Sequence, residues 1–138
     1  MSKIYVLDAC ALIAALTDEQ GAEKVRVLFD DAVSGKIKLI IHKLNLLEVY
    51  YDMLRRFGKE ATVNFLNEIK NTSLFIEPEI SDEVFLEAGR LKATYKISLA
   101  DAVALAEASA RSAEIVTSDH HEFNIIEQNE PIRFLWIR

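Results

Sequence analysis

The sequence predicts an α/β domain with a mostly parallel sheet of four or five strands flanked by helices. Short apolar runs without polar alternation, such as residues 4–7, are typical of strands buried on both faces of a parallel sheet. Longer helical stretches separate these runs, as the crossovers of βαβ units require. The first run ends at Asp8, and ligands of open α/β sheets bind at the carboxyl ends of the strands.

Apolar runs rich in β-branched residues define the strands. They cover residues 4–7, 37–41, 74–76, 114–117 and, as a possible fifth strand, 133–137. Apolar residues at helical spacing, bounded by polar residues or glycine, define the helices. These are predicted over residues 9–16, 22–32, 45–57, 60–69, 81–95 and 98–113, and no element is assigned over 118–132. Residues 1–138 contain no linker, repeat or low-complexity segment, so a single domain is expected.

Composition narrows the class of protein further. Half of the 138 residues are hydrophobic and only four Gly and two Pro occur, as in a globular chain rich in regular structure. A single cysteine excludes an internal disulfide and suits the reducing cytoplasm, and no signal peptide or membrane span is expected. The net charge of −6 argues weakly against nucleic acid, although a nuclease that holds cations in a carboxylate cluster can be acidic.

Four carboxylates occupy corresponding places in the predicted topology. Asp8 and Asp119 follow strands, whereas Glu48 and Asp101 lie in the first turns of helices. Strand ends and the starts of the helices that follow them share one edge of a parallel sheet, so Asp8, Glu48 and Asp119 should converge there. Asp101 joins them if the preceding helix runs back along the sheet and brings the next helix to the same edge.

Clustered carboxylates repel one another and raise each other's pKa unless cations neutralise them. Mg²⁺ and Mn²⁺ prefer such oxygen ligands and complete their coordination with water or substrate phosphate. Two ions roughly 4 Å apart can activate a water and stabilise the leaving oxygen of a phosphodiester. Asp8 and Asp101 are the first ligands expected, and Glu48 and Asp119 would complete the cluster directly or through water.

Each acid also has a structural interpretation. Asn45-x-x-Glu48 and Ser98-x-x-Asp101 both fit the capping box, in which the acid bonds back to the N-cap amide. An Asp that follows a strand is common in turns. The functional interpretation therefore depends on the occurrence of all four acids at one edge.

Two other site types remain open at this stage. His120 and His121 could form a transition-metal site with Cys10, although no second thiolate or metal-binding helix spacing supports it. Cys10 itself is expected to be a small buried thiol rather than a nucleophile. A phosphoacceptor or phosphatase with Asp8 as the covalent site is disfavoured, because neither a late-strand lysine nor a second Asp at position 10 is present.

Four motifs in order carry a resemblance to a known family. They are Val6-Leu7-Asp8, Asn45-Leu46-Leu47-Glu48, Ser98-Leu99-Ala100-Asp101-Ala102 and Val116-Thr117-Ser118-Asp119-His120-His121-Glu122-Phe123. Together they resemble the PIN domain and, more narrowly, the VapC toxins of type II toxin–antitoxin systems. The resemblance covers essentially the whole chain, including its Phe134-x-Trp136-Ile137-Arg138 ending.

The resemblance implies a PIN-like fold and a Mg²⁺- or Mn²⁺-dependent endoribonuclease. The matching acids are Asp8, Glu48, Asp101 and Asp119, with Glu122 as a possible further acid and Thr117 or Ser118 as hydroxyl groups that help hold the metal water. It also implies a homodimer that a cognate antitoxin inhibits. Cys10 departs from the family, which often has Ser, Thr or Asn two residues after the first Asp. A PIN-like module that binds RNA or protein without catalysis is the alternative.

Overall fold

A five-stranded parallel sheet forms the centre of the fold. The computed structural model describes residues 2–138. The strands are β1 (Lys3–Leu7), β2 (Ile37–His42), β3 (Leu74–Glu77), β4 (Glu114–Thr117) and β5 (Arg133–Trp136). They lie in the order β3-β2-β1-β4-β5, and every neighbouring pair is parallel. The predicted α/β class and the fifth strand are therefore confirmed.

Helices connect the strands and cover both faces of the sheet. They are α1 (Ala9–Leu16), α2 (Ala22–Val33), α3 (Lys43–Phe57), α4 (Lys59–Lys70), α5 (Asp82–Thr94), α6 (Leu99–Ala110) and α7 (His120–Asn129). No helix within residues 2–138 combines the length and the apolar composition that a membrane crossing needs.

Successive residues of the strands enter opposite cores. Val6 packs in a cluster with residues of α5, α6 and α7, whereas Leu7 packs in a second cluster with residues of α1, α2, α3 and α4. Val6, Leu7, Ile115 and Val116 are all fully buried. Period-two alternation sends neighbouring side chains to opposite faces, so a strand covered on both sides needs an unbroken apolar run. This requirement explains why β1 and β4 could be recognised in the sequence.

Two predictions about the helices were wrong. Helix α3 begins at Lys43 rather than Asn45, because the His42 ring acts as the N-cap and its Nδ1 accepts the Leu44 amide at 3.0 Å. Asn45 therefore lies inside the helix and does not form a capping box with Glu48. Helix α7 was not assigned at all, although Asp119 caps it and Phe123 anchors it in the core.

The connection between α1 and α2 depends on the backbone of Gly21. Gly21 has a φ of +98°, and a Cβ at this position would lie 2.6 Å from the carbonyl oxygen of Ile137. The last residue also contacts this connection, because the Arg138 guanidinium donates a hydrogen bond to the Gln20 carbonyl at 3.0 Å. Gly21 thus allows the segment after β5 to pack against the start of α2.

We expect Gly21→Ala to lower the free energy of unfolding by about 2–4 kcal/mol, because it combines a left-handed backbone with a clash against main chain. Urea unfolding measures the change. Gly35→Ala is the matched control: its φ is +80°, but an added Cβ meets no atom within 4 Å. It should lower the free energy by only about 1 kcal/mol. Equal losses in both variants would contradict the proposed close approach at Ile137.

Candidate metal centre

Asp8 lies at the carboxyl edge of the sheet, directly after the central strand β1. It is the N-cap of α1, and its Oδ1 accepts the Ala11 amide at 2.9 Å. Only 2% of the residue is exposed. Burial raises the pKa of Asp8 to about 6, although hydrogen bonds from Thr117, Ala11 and Cys10 act in the opposite direction.

Asp101 reaches the same edge because α5 and α6 form an antiparallel pair. Lys92, near the end of α5, lines a groove with Leu99 at the start of α6, whereas Glu83, at the start of α5, lines one with Ala110 at the end of α6. Helix α6 ends at Ala110, just before β4 begins at Glu114 at the amino edge of the sheet, so α6 starts toward the carboxyl edge and α5 runs toward that edge. The sequence could not establish this condition.

The charges around Asp101 show that the four acids lie near one another. Burial, together with the charges of Asp8, Glu48 and Asp119, raises the pKa of Asp101 to about 7. Ser98 forms one half of the predicted capping box, since its Oγ accepts the Asp101 amide at 3.1 Å. The Ser98 side chain also hydrogen-bonds the Asp101 carboxylate and opposes the rise in its pKa.

Glu48 lies one turn into α3, the helix that follows β2. Burial raises its pKa, and the Tyr51 hydroxyl opposes this shift. Its Oε1 is buried and has no hydrogen-bond partner. A buried carboxylate oxygen without a donor is costly, so this atom is suited to a cation or a bound water.

Asp119 follows β4 and caps α7. Its Oδ1 accepts the Glu122 amide at 3.1 Å, and its own amide donates to Thr117 Oγ1 at 3.0 Å. The Ser118 hydroxyl donates to Cys10 Sγ at 3.4 Å. Thr117 and Ser118 thus arrange the edge around Asp8 and Asp119. Glu122 contributes its main-chain amide, and its carboxylate forms no hydrogen bond or ion pair within residues 2–138.

The donor set fits a hard divalent cation. It consists of carboxylate oxygens, the ligands that Mg²⁺ and Mn²⁺ prefer, and burial disfavours the charged forms of Asp8, Glu48 and Asp101 unless a cation is nearby. Across residues 2–138, no three His, Cys, Asp or Glu side chains are already arranged around one ion position. Rotation of the Glu48 or Asp101 side chain toward the Asp8 carboxylate would therefore have to accompany binding.

Cys10 has a structural role at this edge, as a hydrogen-bond donor to Asp8, that the sequence did not predict. Its Sγ lies 3.1 Å from Oδ1 and 3.2 Å from Oδ2 of Asp8, so the thiol donates to that carboxylate. It also accepts hydrogen bonds from Ser118. Burial and the charge of Asp8 raise the pKa of Cys10 to about 12, and a thiol with that pKa is not a nucleophile at neutral pH.

We expect Cys10 to react with iodoacetamide at pH 8 more than about 100-fold slower than in the urea-unfolded chain, because so little of it is thiolate. Rates of mass increase measure the difference. Cys10→Ser should keep any nuclease activity within a few-fold, since a hydroxyl also donates to Asp8. Rapid labelling of the folded protein would contradict the hydrogen-bonded position of the thiol.

The alternative site with two histidines receives no support from the geometry. The His120 ring stacks on Trp136 at 3.8 Å between centroids, and its nitrogens lie within hydrogen-bond distance of Asn124 Oδ1 and the Arg138 carbonyl. Cys10 instead contacts Asp8 and Ser118. His120 therefore packs the end of the chain against α7.

Comparison with known proteins identifies the family. The model of the PIN domain matches residues 5–127. The chain belongs to the PIN domain family. A comparison with curated proteins found no match.

Solved structures with the same fold include two DNA-bound VapBC structures and one toxin. The chain is similar to VapBC2 from Rickettsia felis bound to promoter DNA, with 20% identity, coverage of 96% and 97% of the two chains and a TM-score of 0.74. It is also similar to DNA-bound VapBC from Salmonella typhimurium, with 16% identity, 100% coverage of both chains and a TM-score of 0.73. The Mycobacterium tuberculosis toxin VapC20, described as cleaving the Sarcin-Ricin loop, gives 18% identity, coverage of 80% and 86% and a TM-score of 0.56.

Proposed function

We propose that the protein is a Mg²⁺- or Mn²⁺-dependent endoribonuclease and the toxin of a type II toxin–antitoxin pair, acting in the cytoplasm. The observation that carries this proposal is the meeting of four acids from separate parts of the chain at one edge of the sheet. Membership of the PIN family and the fold shared with VapC toxins support it. A purely structural role would not require four carboxylates to lie near one another at one edge of the sheet.

Each acid is assigned a part in holding the cation. Asp8 and Asp101 would be the principal ligands, because they are the two acids whose pKa burial raises most. Glu48 and Asp119 would complete the set directly or through water. When bound, Mg²⁺ or Mn²⁺ supplies charge that activates a water and stabilises the leaving oxygen of a phosphodiester.

Residues of the chain orient the attacking water, accept its proton and hold the ligands in place. Glu48 or Asp119 orients the attacking water and accepts its proton, since both lie beside the principal ligands and carry a free carboxylate oxygen. The amide of Ala11 and the thiol of Cys10 fix Asp8 in one orientation. The Asp119 carboxylate is likewise fixed by the Glu122 amide. Fixed ligands lower the reorganisation needed when substrate binds.

Two protein partners belong to the proposal. The VapBC relatives are toxin–antitoxin complexes, which supports a cognate antitoxin for this chain. A homodimer is proposed as well, because Phe85 and Leu86 on α5 are 67% and 70% exposed and Leu99 on α6 is 59% exposed. Exposed apolar residues that lie together are typical of protein contacts.

The proposal is tested by incubating purified, antitoxin-free protein with structured RNA in Mg²⁺, in Mn²⁺ and in EDTA. Discrete RNA cuts that need a divalent ion are expected, and a single-stranded DNA of matched sequence serves as the control substrate. If the folded protein binds Mn²⁺ but cuts no RNA in a diverse pool, the result favours the alternative, a PIN-like module that binds RNA or protein without catalysis. A metal-independent RNA cut would contradict the carboxylate mechanism.

A further inference from the structure

Three buried polar atoms without a hydrogen-bond partner all belong to one turn of α3. Within residues 2–138 they are Asn45 Nδ2, Asn45 Oδ1 and Glu48 Oε1. Asn45 is fully buried, with 0% exposure. Its amide can donate two hydrogen bonds and accept two, yet the folded chain supplies none to either end.

Other buried polar side chains of the protein are satisfied. The Thr62 hydroxyl donates to the Gly58 carbonyl at 2.7 Å, and His42 uses Nδ1 for the Leu44 amide and Nε2 for the Glu79 carbonyl. A buried unsatisfied amide costs about 1–3 kcal/mol relative to a paired one. An apolar side chain at position 45 would avoid this cost, because the adjacent Leu46 already packs in the core.

The position of the unpartnered atoms connects them to the candidate metal centre. Asn45 and Glu48 are three residues apart, so their side chains share one face of α3 and their Cβ atoms lie about 5–6 Å apart. The helix begins directly after β2, whose Ile41 is the register partner of Leu7. The next residue after Leu7 is Asp8, so this turn of α3 lies at the edge where the acids meet.

We propose that Asn45 is a positioning residue that binds one buried water, and that this water holds Glu48 Oε1. The inference rests on the proposed function. Buried waters typically make about three hydrogen bonds to groups that are otherwise unsatisfied, and the three atoms of this turn provide such partners. Holding Oε1 in this way fixes the carboxylate and leaves its second oxygen for the cation.

The inference also explains why a polar side chain is retained at this fully buried position. Groups that orient metal ligands change metal affinity or activity by about 10–100-fold when they are removed, even though they do not touch the ion. Asn45 would thus contribute no more stability than an apolar side chain at the same position, but it would raise the affinity of the chain for the cation. Such a conflict between stability and function is common at functional sites.

The test compares Asn45→Ala with Asn45→Ser, which differ only by a hydroxyl that can still hold the water. Titration with Mn²⁺ followed by electron paramagnetic resonance gives the affinity of each variant. We expect Asn45→Ala to weaken Mn²⁺ binding about 10–100-fold and Asn45→Ser to recover most of that loss. Equal weakening in the two variants would overturn the role of the water.

Asn45→Leu separates positioning from folding. It replaces the buried amide and its water by apolar contacts, so its urea midpoint should equal or exceed that of the wild type, whereas its Mn²⁺ affinity should fall as in Asn45→Ala. Thr62→Val is the control at a satisfied buried site: it should lower the urea midpoint and leave Mn²⁺ affinity unchanged. Wild-type Mn²⁺ affinity in both Asn45→Leu and Asn45→Ala would overturn the proposal.

These readings also distinguish this inference from the nuclease proposal. If the wild type binds Mn²⁺ but cuts no RNA, the proposed function fails while the affinities of the Asn45 variants still decide the inference. If RNA is cut and the Asn45 variants bind Mn²⁺ like the wild type, only the inference fails. A wild-type protein that binds no Mn²⁺ overturns both.

Discussion

Replacing Asp8 by Asn should lower RNA cleavage about 1,000-fold or more while the protein stays folded. The change removes one charged ligand from the cation, and charge stabilisation by a catalytic metal is worth several kcal/mol, at about 1.4 kcal/mol per tenfold in rate. The fold survives because Asn is as good an N-cap as Asp and can still accept the Ala11 amide. Single-turnover cleavage in Mn²⁺ gives the rate.

Asp101→Asn should lose cleavage to a similar extent and stay folded, because the Ser98 hydroxyl caps the main-chain amide of Asp101, which the substitution keeps. Asp30→Asn is the matched control, with the same chemical change at an exposed position of α2. Circular dichroism checks that each variant is folded. Cleavage within tenfold of the wild type in either folded variant, Asp8→Asn or Asp101→Asn, would show that the corresponding acid is not a principal ligand.

In EDTA, the free energy of unfolding should fall as the pH rises from about 5 to about 7.5. Folding raises the pKa of Asp8 from 3.8 to about 6 and that of Asp101 from 3.8 to about 7. A raised carboxyl pKa means that the native state binds protons more tightly than the unfolded chain. The stabilisation is therefore full below about pH 4 and is lost as the pH passes the folded values. The expected loss is on the order of a few kcal/mol.

Urea unfolding at several pH values measures this slope. Asp8→Asn and Asp101→Asn should each flatten it, because an amide does not titrate, and both variants should be more stable than the wild type at pH 7.5 in EDTA. Glu19 and Glu130 have lowered pKa values, so their contribution is lost below about pH 4.5 and lies outside this window. Saturating Mn²⁺ should reverse the fall by stabilising the ionised native state, by about 2.7 kcal/mol at 100 times its Kd. If the free energy of unfolding falls with pH as steeply in both variants as in the wild type, Asp8 and Asp101 are not the cause of the fall.

The parallel sheet could be predicted from the sequence because a strand that is buried on both faces has an unbroken run of apolar residues. Residues 4–7 and 114–117 have no polar alternation, and both became central strands of the sheet. The ends of these strands fixed the places of Asp8 and Asp119 by topology alone. The prediction that Ser98 caps a helix was also confirmed, because a Ser hydroxyl at the start of a helix typically accepts a main-chain amide of the first turn.

The remaining features depend on contacts between distant parts of the chain. The start of α3 was wrong because His42 replaced the usual small N-cap residue, and no local pattern signals an imidazole in that position. The position of Asp101 at the carboxyl edge depends on the direction in which α5 runs along the sheet. That direction is set by helix packing and cannot be read from the spacing of residues in the sequence. The bond from the Cys10 thiol to Asp8 and the unpartnered amide of Asn45 were not predicted, because both are visible only in three dimensions.

The central claim is that Asp8, Glu48, Asp101 and Asp119 form one cation site. Equilibrium titration of metal-free protein with Mn²⁺, followed by electron paramagnetic resonance, tests this directly for the wild type and for the four single Asp→Asn or Glu→Gln variants. We predict saturable binding by the wild type and a loss of affinity of about tenfold or more in every variant, with Asp8→Asn and Asp101→Asn the weakest. Unchanged Mn²⁺ affinity in Asp8→Asn and Asp101→Asn would contradict it.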